Sequence, residues 1–198
     1  MGSRKKLYEM MYKKAKDETR LGWYGTDIPL LVEREATQPL KGGNAVDLGC
    51  GTGLNAVYLA KKGYQVIGVD FVSSALNFAR KNAMEAKVNV EFVLADILEW
   101  QAPYKFDLIL DSGCLHGLSG ENREKYKAQL LKWLKPSSVY VLIHFAKRRF
   151  YDLNIFGPQK RTREDVERFF KPDLRIVDFL AETGKEPLNQ YLFVPSGA

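Results

Sequence analysis

The stretch from Asn44 to Asp70, NAVDLGCGTGLNAVYLAKKGYQVIGVD, constrains this chain more than any other part of it. A short apolar run at Ala45 and Val46 leads into Asp47-Leu48-Gly49-Cys50-Gly51-Thr52-Gly53. Helical spacing follows from Leu54 to Lys62, with Leu54, Val57, Tyr58 and Lys61 on one face. Lys61 and Lys62 complement the carbonyl end of that helix, and Gly63 suits the position just past it. A second apolar run, Val66 to Val69, stops at Asp70. Strand, glycine turn, helix, strand and acid, in that order, predict one βαβ unit of a nucleotide-binding sheet. The glycines let the backbone turn tightly and come close to a ligand, towards which the helix N-terminus directs unpaired N–H groups. Asp70 stands about twenty residues past the first glycine, where an acid accepts hydrogen bonds from ribose hydroxyls.

The details of the turn narrow the ligand. A dinucleotide site reads G-x-G-x-x-G, and here the third glycine of that pattern is Leu54. The chain instead carries D-x-G-x-G-x-G, with Asp47 two residues before Gly49. An acid at that point repels a pyrophosphate and suits a ligand with an ammonium group. This stretch resembles motif I of the class I S-adenosylmethionine-dependent methyltransferases, and Asp70 occupies the place of their ribose-binding acid.

The rest of the chain supplies the other elements in a matching order. Leu7, Met10, Met11 and Ala15 predict an amphipathic helix within residues 7–18, followed by a turn-rich segment holding Trp23 and Tyr24. Thr26 or Asp27 is placed to cap a short helix through Val32, with Pro29 in its first turn. Ser73 or Ser74 is placed to cap a helix whose buried face carries Leu76, Ala79 and Ala83. Val88, Val90, Phe92 and Leu94 alternate as a third strand does, and Phe106 to Asp111 forms a fourth. A helix from Glu121 to Lys135 presents Tyr126, Leu130 and Leu134 in line, with Pro136 as its stop. The nearly all-apolar run Val139 to Phe145 reads as a strand covered on both faces. Thr162 with Asp165 forms a capping-box variant opening a helix to Phe170, and the stretches 174–179 and 190–194 close the sheet as an antiparallel pair.

This order is similar to the class I methyltransferase fold: α/β, a doubly wound seven-stranded, mostly parallel sheet with an antiparallel last strand. It implies a single domain over residues 1–198, with residues 1–40 as a helical cover, 41–145 as the cofactor-binding core and 146–198 as a substrate-side insertion with closing strands. The resemblance implies S-adenosylmethionine as cofactor and S-adenosylhomocysteine as product. Gly49, Cys50, Gly51 and Gly53 would then form the backbone cradle, Asp47 would hold the methionine ammonium, and Asp70 the ribose. Phe71, Asp96 and Ile97 would surround the adenine. Asp96 is also placed to cap the turn that follows it. Trp23 would lie near the cofactor or plug the core beneath a loop.

The fourth strand runs into Asp111-Ser112-Gly113-Cys114-Leu115-His116, which resembles motif IV of the same family. Asp111 would face the cofactor ammonium or the acceptor, or else cap the Ser-Gly turn. His116 is the candidate general base for a hydroxyl acceptor, or a structural histidine. His144 reads as a hydrogen-bonded core histidine. The basic and aromatic run from Lys147 to Phe156 has three readings: a lid over the acceptor, an RNA contact, or a solvated loop.

Composition sets the outer bounds. The 198 residues are 45% hydrophobic and 27% charged, which suits one soluble domain with a good-sized core. No apolar run is long enough to cross a bilayer, and the basic N-terminus lacks the apolar core of a secretory signal. Lys6 stands where a myristoylation motif has Ser or Thr. Two cysteines do not make an oxidised scaffold, and no zinc-type ligand spacing occurs, so a cytoplasmic protein without a metal is expected. The net charge of +6 allows a nucleic-acid partner without favouring one. Motif IV lacks the Asn/Asp-Pro-Pro-Tyr/Phe of amino-methylating nucleic-acid enzymes, which favours methyl transfer to the O, N or S of a small molecule. A methyltransferase of RNA or protein and a silent cofactor-binding subunit are the alternatives.

Overall fold

A computed structural model describes residues 2–15, 17–21, 28–36, 43–147, 159–181 and 188–197. Trp23, Tyr24, Thr26, Asp27 and the stretch 148–158 lie outside the described residues. Helices α1 (Gly2–Lys14) and α2 (Leu30–Ala36) precede β1 (Asn44–Leu48), α3 (Leu54–Lys61), β2 (Gln65–Asp70), α4 (Ser73–Glu85) and β3 (Glu91–Leu94). Then come β4 (Phe106–Ser112), α5 (Glu121–Trp133), β5 (Leu134–Phe145), α6 (Arg163–Phe170), β6 (Leu174–Leu180) and β7 (Leu188–Pro195).

The strands form one seven-stranded sheet in the order β3-β2-β1-β4-β5-β7-β6. Neighbours from β3 through β5 pair in parallel, and β7 runs antiparallel to both β5 and β6. The strand order reverses between β1 and β4, so their C-terminal ends open the crevice where such sheets bind ligands. Two apolar layers hold the sheet. On one face Val46, Leu48, Ile109 and Leu142 pack with Tyr126, Leu130 and Trp133 of α5 and Phe170 of α6. On the other, Ala45, Leu108, Leu110 and Val141 meet Leu31 and Val32 of α2 and Ala56 and Leu59 of α3. Each such fully buried aliphatic or aromatic side chain contributes about 1.5–3 kcal/mol. Among the described residues no helix is long and apolar enough to cross a membrane.

Several local expectations are corrected. The buried face of α3 is Ala56, Val57 and Leu59, while Leu54 and Tyr58 are half-buried and Lys61 is exposed. Small residues at the first of these positions let the helix lie close to the sheet. In α1 the apolar Leu7, Met10 and Met11 are exposed and Tyr8 and Tyr12 pack inward instead, while Ala15, just past the helix, packs inward as expected. Neither Ser73 nor Ser74 caps α4; the Asp70 carboxylate accepts from the Val72 N–H (2.8 Å) and sets the entry to that helix. Helix α2 begins at Leu30, one residue past Pro29, and its Leu31 N–H donates to Gln190 Oε1 (3.0 Å) of β7.

Strand β3 takes only Glu91–Leu94, at the sheet edge, and Leu94 is exposed. Helix α5 stops at Trp133, two residues earlier than expected, because the residue before a proline avoids the helical region. Pro136 then lies within β5, where the register with β4 slips between Phe106 and Leu108. Ser138 closes that irregularity, accepting from the Lys135 N–H (2.7 Å) and donating to the Phe106 carbonyl (2.6 Å). The capping box of α6 forms as the sequence predicts, between Thr162 and Asp165.

Candidate active site

Three carboxylates stand at the crevice: Asp47 in β1, Asp70 at the end of β2 and Asp111 in β4. All three are buried. Asp47 is 2% exposed, and the backbone N–H of Ala56 in the first turn of α3 draws its pKa down. Its Oδ2 is buried with no hydrogen-bond partner among the described residues. Burial above all, then the nearby charges of Asp111 and Asp70, push its pKa up to about 7. A buried carboxylate oxygen without a donor is costly, and a cation placed there relieves the cost.

Asp70 is tied into the glycine turn. Its Oδ2 accepts from the Gly51 N–H (2.9 Å) and its Oδ1 from Val72. Burial raises its pKa, while those amides pull the other way. Three further amides of the turn are also engaged. Gly49 and Cys50 N–H both donate to the Val69 carbonyl (2.8 and 3.0 Å), and Gly53 N–H donates to the Cys50 carbonyl (2.8 Å). The N–H groups of Gly49, Cys50, Gly51 and Gly53 are thus spent on Asp70, the neighbouring strand and the turn itself. The anionic surroundings disfavour a phosphate at this helix N-terminus.

Two glycines are fixed by close approach. Gly53 has φ +75°, and a Cβ there would lie 2.8 Å from Ala79 Cβ of α4. Gly51 has φ +53°, and its added Cβ would lie 2.8 Å from Tyr12 Oη. Helix α1 therefore lies against the glycine turn, with Tyr8 edge-on to Phe71 at 6.1 Å between ring centroids. Tyr12 was not legible as a site residue, because the apolar residues of α1 pointed to a different face.

Asp111 takes the turn-capping arrangement, one of the two readings its position in the sequence offers. It is 0% exposed and receives four hydrogen bonds: Gly113 N–H (3.1 Å) and Cys114 N–H (2.6 Å) at Oδ1, Leu115 N–H (2.9 Å) and Tyr126 Oη–H (2.6 Å) at Oδ2. Burial raises its pKa to about 6, against the pull of these donors. Its oxygens are filled from within the protein, so it holds the loop after β4 rather than facing a ligand. The sequence signal for this was Tyr126 on the buried face of α5, since a buried phenol needs a partner.

That loop carries His116 in a short 3-10 turn, Leu115–Gly117. The His116 ring lies edge-on to Phe145 at 4.8 Å and to His144 at 6.0 Å. His144 is fully buried and its Nδ1 lies 3.0 Å from the Phe145 carbonyl, which makes Nδ1 the protonated nitrogen. Burial lowers its pKa to about 3, so it is neutral. Asp96 Oδ1 accepts from the Leu98 N–H (3.0 Å), capping the turn after β3, and Ile97 is 3% exposed within the core. The Cys50 and Cys114 thiols are pushed well up by burial and nearby carboxylates, so both stay protonated.

A family model described as a methyltransferase domain matches residues 45–137, from the first strand of the crevice through α5. In this stretch the chain is similar to the class I S-adenosylmethionine-dependent methyltransferases. It is 31% identical, over 66% of its own length, to the 2-heptyl-1-hydroxyquinolin-4(1H)-one methyltransferase of Mycobacteroides abscessus, of which it spans 60%. Two solved structures share its fold. Magnesium protoporphyrin IX methyltransferase from Synechocystis PCC 6803 with bound S-adenosylhomocysteine aligns with TM-score 0.75 at 16% identity, covering 97% of this chain and 99% of that one. Burkholderia thailandensis 1,6-didemethyltoxoflavin-N1-methyltransferase aligns with TM-score 0.76 at 18% identity, covering 98% and 87%. The seven-stranded, mostly parallel sheet of this chain, with its antiparallel β7, is the one expected from the sequence.

Proposed function

We propose that the chain catalyses methyl transfer from S-adenosylmethionine to an oxygen, nitrogen or sulfur atom of a small molecule. The observation that carries this reading is the unpartnered, buried Oδ2 of Asp47 beside two further carboxylates. A doubly cationic ligand suits this mouth, and a pyrophosphate does not. When bound, S-adenosylmethionine supplies an activated methyl group on a sulfonium.

The chain's own residues then have distinct parts. Asp47 holds the ammonium. Asp70 keeps a second lone pair on each oxygen for ribose hydroxyls after its two amide bonds are made. Gly49, Cys50, Gly51 and Gly53 set the turn that lets the backbone approach. Phe71, Asp96 and Ile97 border the adenine, Ile97 chiefly by closing the core beneath it. Asp111 positions the Gly113–His116 loop, and His116 accepts a proton from a hydroxyl acceptor. Helix α1, whose Tyr12 lies against the glycine turn, covers the site and excludes water. The named activity of the quinolone relative, a small-molecule methyltransferase, supports the same reading.

The test uses methyl-labelled S-adenosylmethionine, purified protein and a cell extract separated into small molecules and macromolecules. Label in the small-molecule fraction, lost in Asp47→Asn, is expected. Label confined to RNA or protein overturns the proposal in favour of a macromolecular acceptor.

A further inference from the structure

Arg123 lies on the inward face of α5, one turn before Tyr126, where a charged residue has no ordinary place. It is 7% exposed, its guanidinium sits over the Phe169 ring at 4.5 Å, and it makes no hydrogen bond or ion pair among the described residues. Arg161 stands beside it on the segment that leaves β5. The Arg161 backbone is fixed, with its N–H donating to the Phe145 carbonyl (3.0 Å) and its carbonyl accepting from Lys147 N–H (2.8 Å). Its side chain is not: among the described residues Nε is buried without a partner, and the guanidinium's one hydrogen bond is a long contact to Gln159 Oε1 (3.5 Å). The two guanidinium groups repel, and burial together with Arg161 lowers the pKa of Arg123. The nearby acid, Asp165, is engaged by the Thr162 cap and by Arg168 (3.4 Å).

These side chains surround an open pocket of about 300 Å³, lined by Arg123, Arg161, Asp165, Arg168 and Phe169. A buried guanidinium without a counter-ion is costly, and its planar fork matches an oxyanion in bidentate fashion. The pocket is joined to the motif IV loop: Gln159 N–H donates to the His116 carbonyl (2.7 Å), and both arginines act on His144.

We propose that this pocket is an oxyanion subsite for the acceptor, so that the small molecule methylated carries a carboxylate or phosphate held by Arg123 and Arg161, with its apolar body against Phe169. The assignment to the acceptor rests on the methyltransferase reading above; the capacity to bind an oxyanion does not. The test titrates the full chain with sodium benzoate and with inorganic phosphate at constant ionic strength, with and without S-adenosylhomocysteine. Wild-type protein is expected to bind at least one of the two, with affinity weakened tenfold or more in Arg161→Gln and in Arg123→Gln. S-adenosylhomocysteine affinity within twofold of wild type shows that each variant is folded; if Arg123→Gln fails that check, Arg161→Gln decides. Preference for benzoate assigns a carboxylate, and preference for phosphate a phosphoryl group. Binding of neither anion above chloride, or equal binding by wild type and variants, overturns the subsite. Failure of the wild type to bind S-adenosylhomocysteine overturns the methyltransferase reading instead, and the anion titration still decides the pocket.

Discussion

Asp47 and Asp111 end neighbouring strands and are equally hidden from solvent, yet replacing each by asparagine has opposite effects. Asp47 has a pKa raised to about 7 from an ordinary 3.8. The unfolded chain therefore loses this proton first, and stability falls as pH rises from about 4 to about 7, then stays level. The charging cost above pH 7 is on the order of 4 kcal/mol. Asp47→Asn removes it and leaves an amide in the unpartnered position, which costs about 1–3 kcal/mol. The variant should be about 1–3 kcal/mol more stable than wild type at pH 8 by denaturant unfolding, while binding S-adenosylhomocysteine at least tenfold more weakly. Asp111 is the reverse case, because each of its oxygens is met by two donors. Its pKa of about 6 carries a charging cost on the order of 3 kcal/mol. An amide nitrogen there would nevertheless face two N–H or O–H donors, so Asp111→Asn should still be destabilising in the same measurement. A stabilising Asp111→Asn would contradict the positioning role given to it.

The contact between α3 and α4 turns on one residue. Gly53 combines a left-handed backbone with an approach to Ala79 that leaves no room for a methyl group. Gly53→Ala should therefore destabilise the protein by about 2–4 kcal/mol, read as a lowered unfolding midpoint. The glycine pattern made this turn legible from sequence, as the alternation of charge and apolar residues made the strands legible. What escaped was direction. The inward face of α1 belongs to Tyr8 and Tyr12, whose rings pack on Phe71 and Phe78, and no periodicity separates an amphipathic tyrosine from a surface one. The start of β5 escaped because Pro136 reads as a helix stop, whereas the irregular pairing with β4 has no need of its missing N–H. At the site, Asp47 and Asp70 were legible through their spacing. Asp111 was left with two readings because nothing local in the sequence reveals that Tyr126, on another element, reaches its carboxylate. Arg123 and Arg161 are far apart in the chain, and only the packing of α5 against the exit of β5 brings them together.

Across the molecule, charge is sorted by side of the crevice. The chain carries a net charge of +6, yet the mouth between β1, β2 and β4 is lined by carboxylates, while arginines gather beyond β5. A cationic donor on the acidic side and an oxyanionic acceptor on the basic side follow from that separation. The central claim is that the carboxylate mouth holds the cofactor's cation. Calorimetric titration with S-adenosylhomocysteine between pH 6 and pH 8, in buffers of different ionisation enthalpy, tests it most directly. The ligand's ammonium favours ionised Asp47, so affinity should rise with pH through about 7, with proton release near neutrality that disappears in Asp47→Asn. Affinity that is flat across this range with no proton released, or tighter binding of a nicotinamide dinucleotide, would contradict the account.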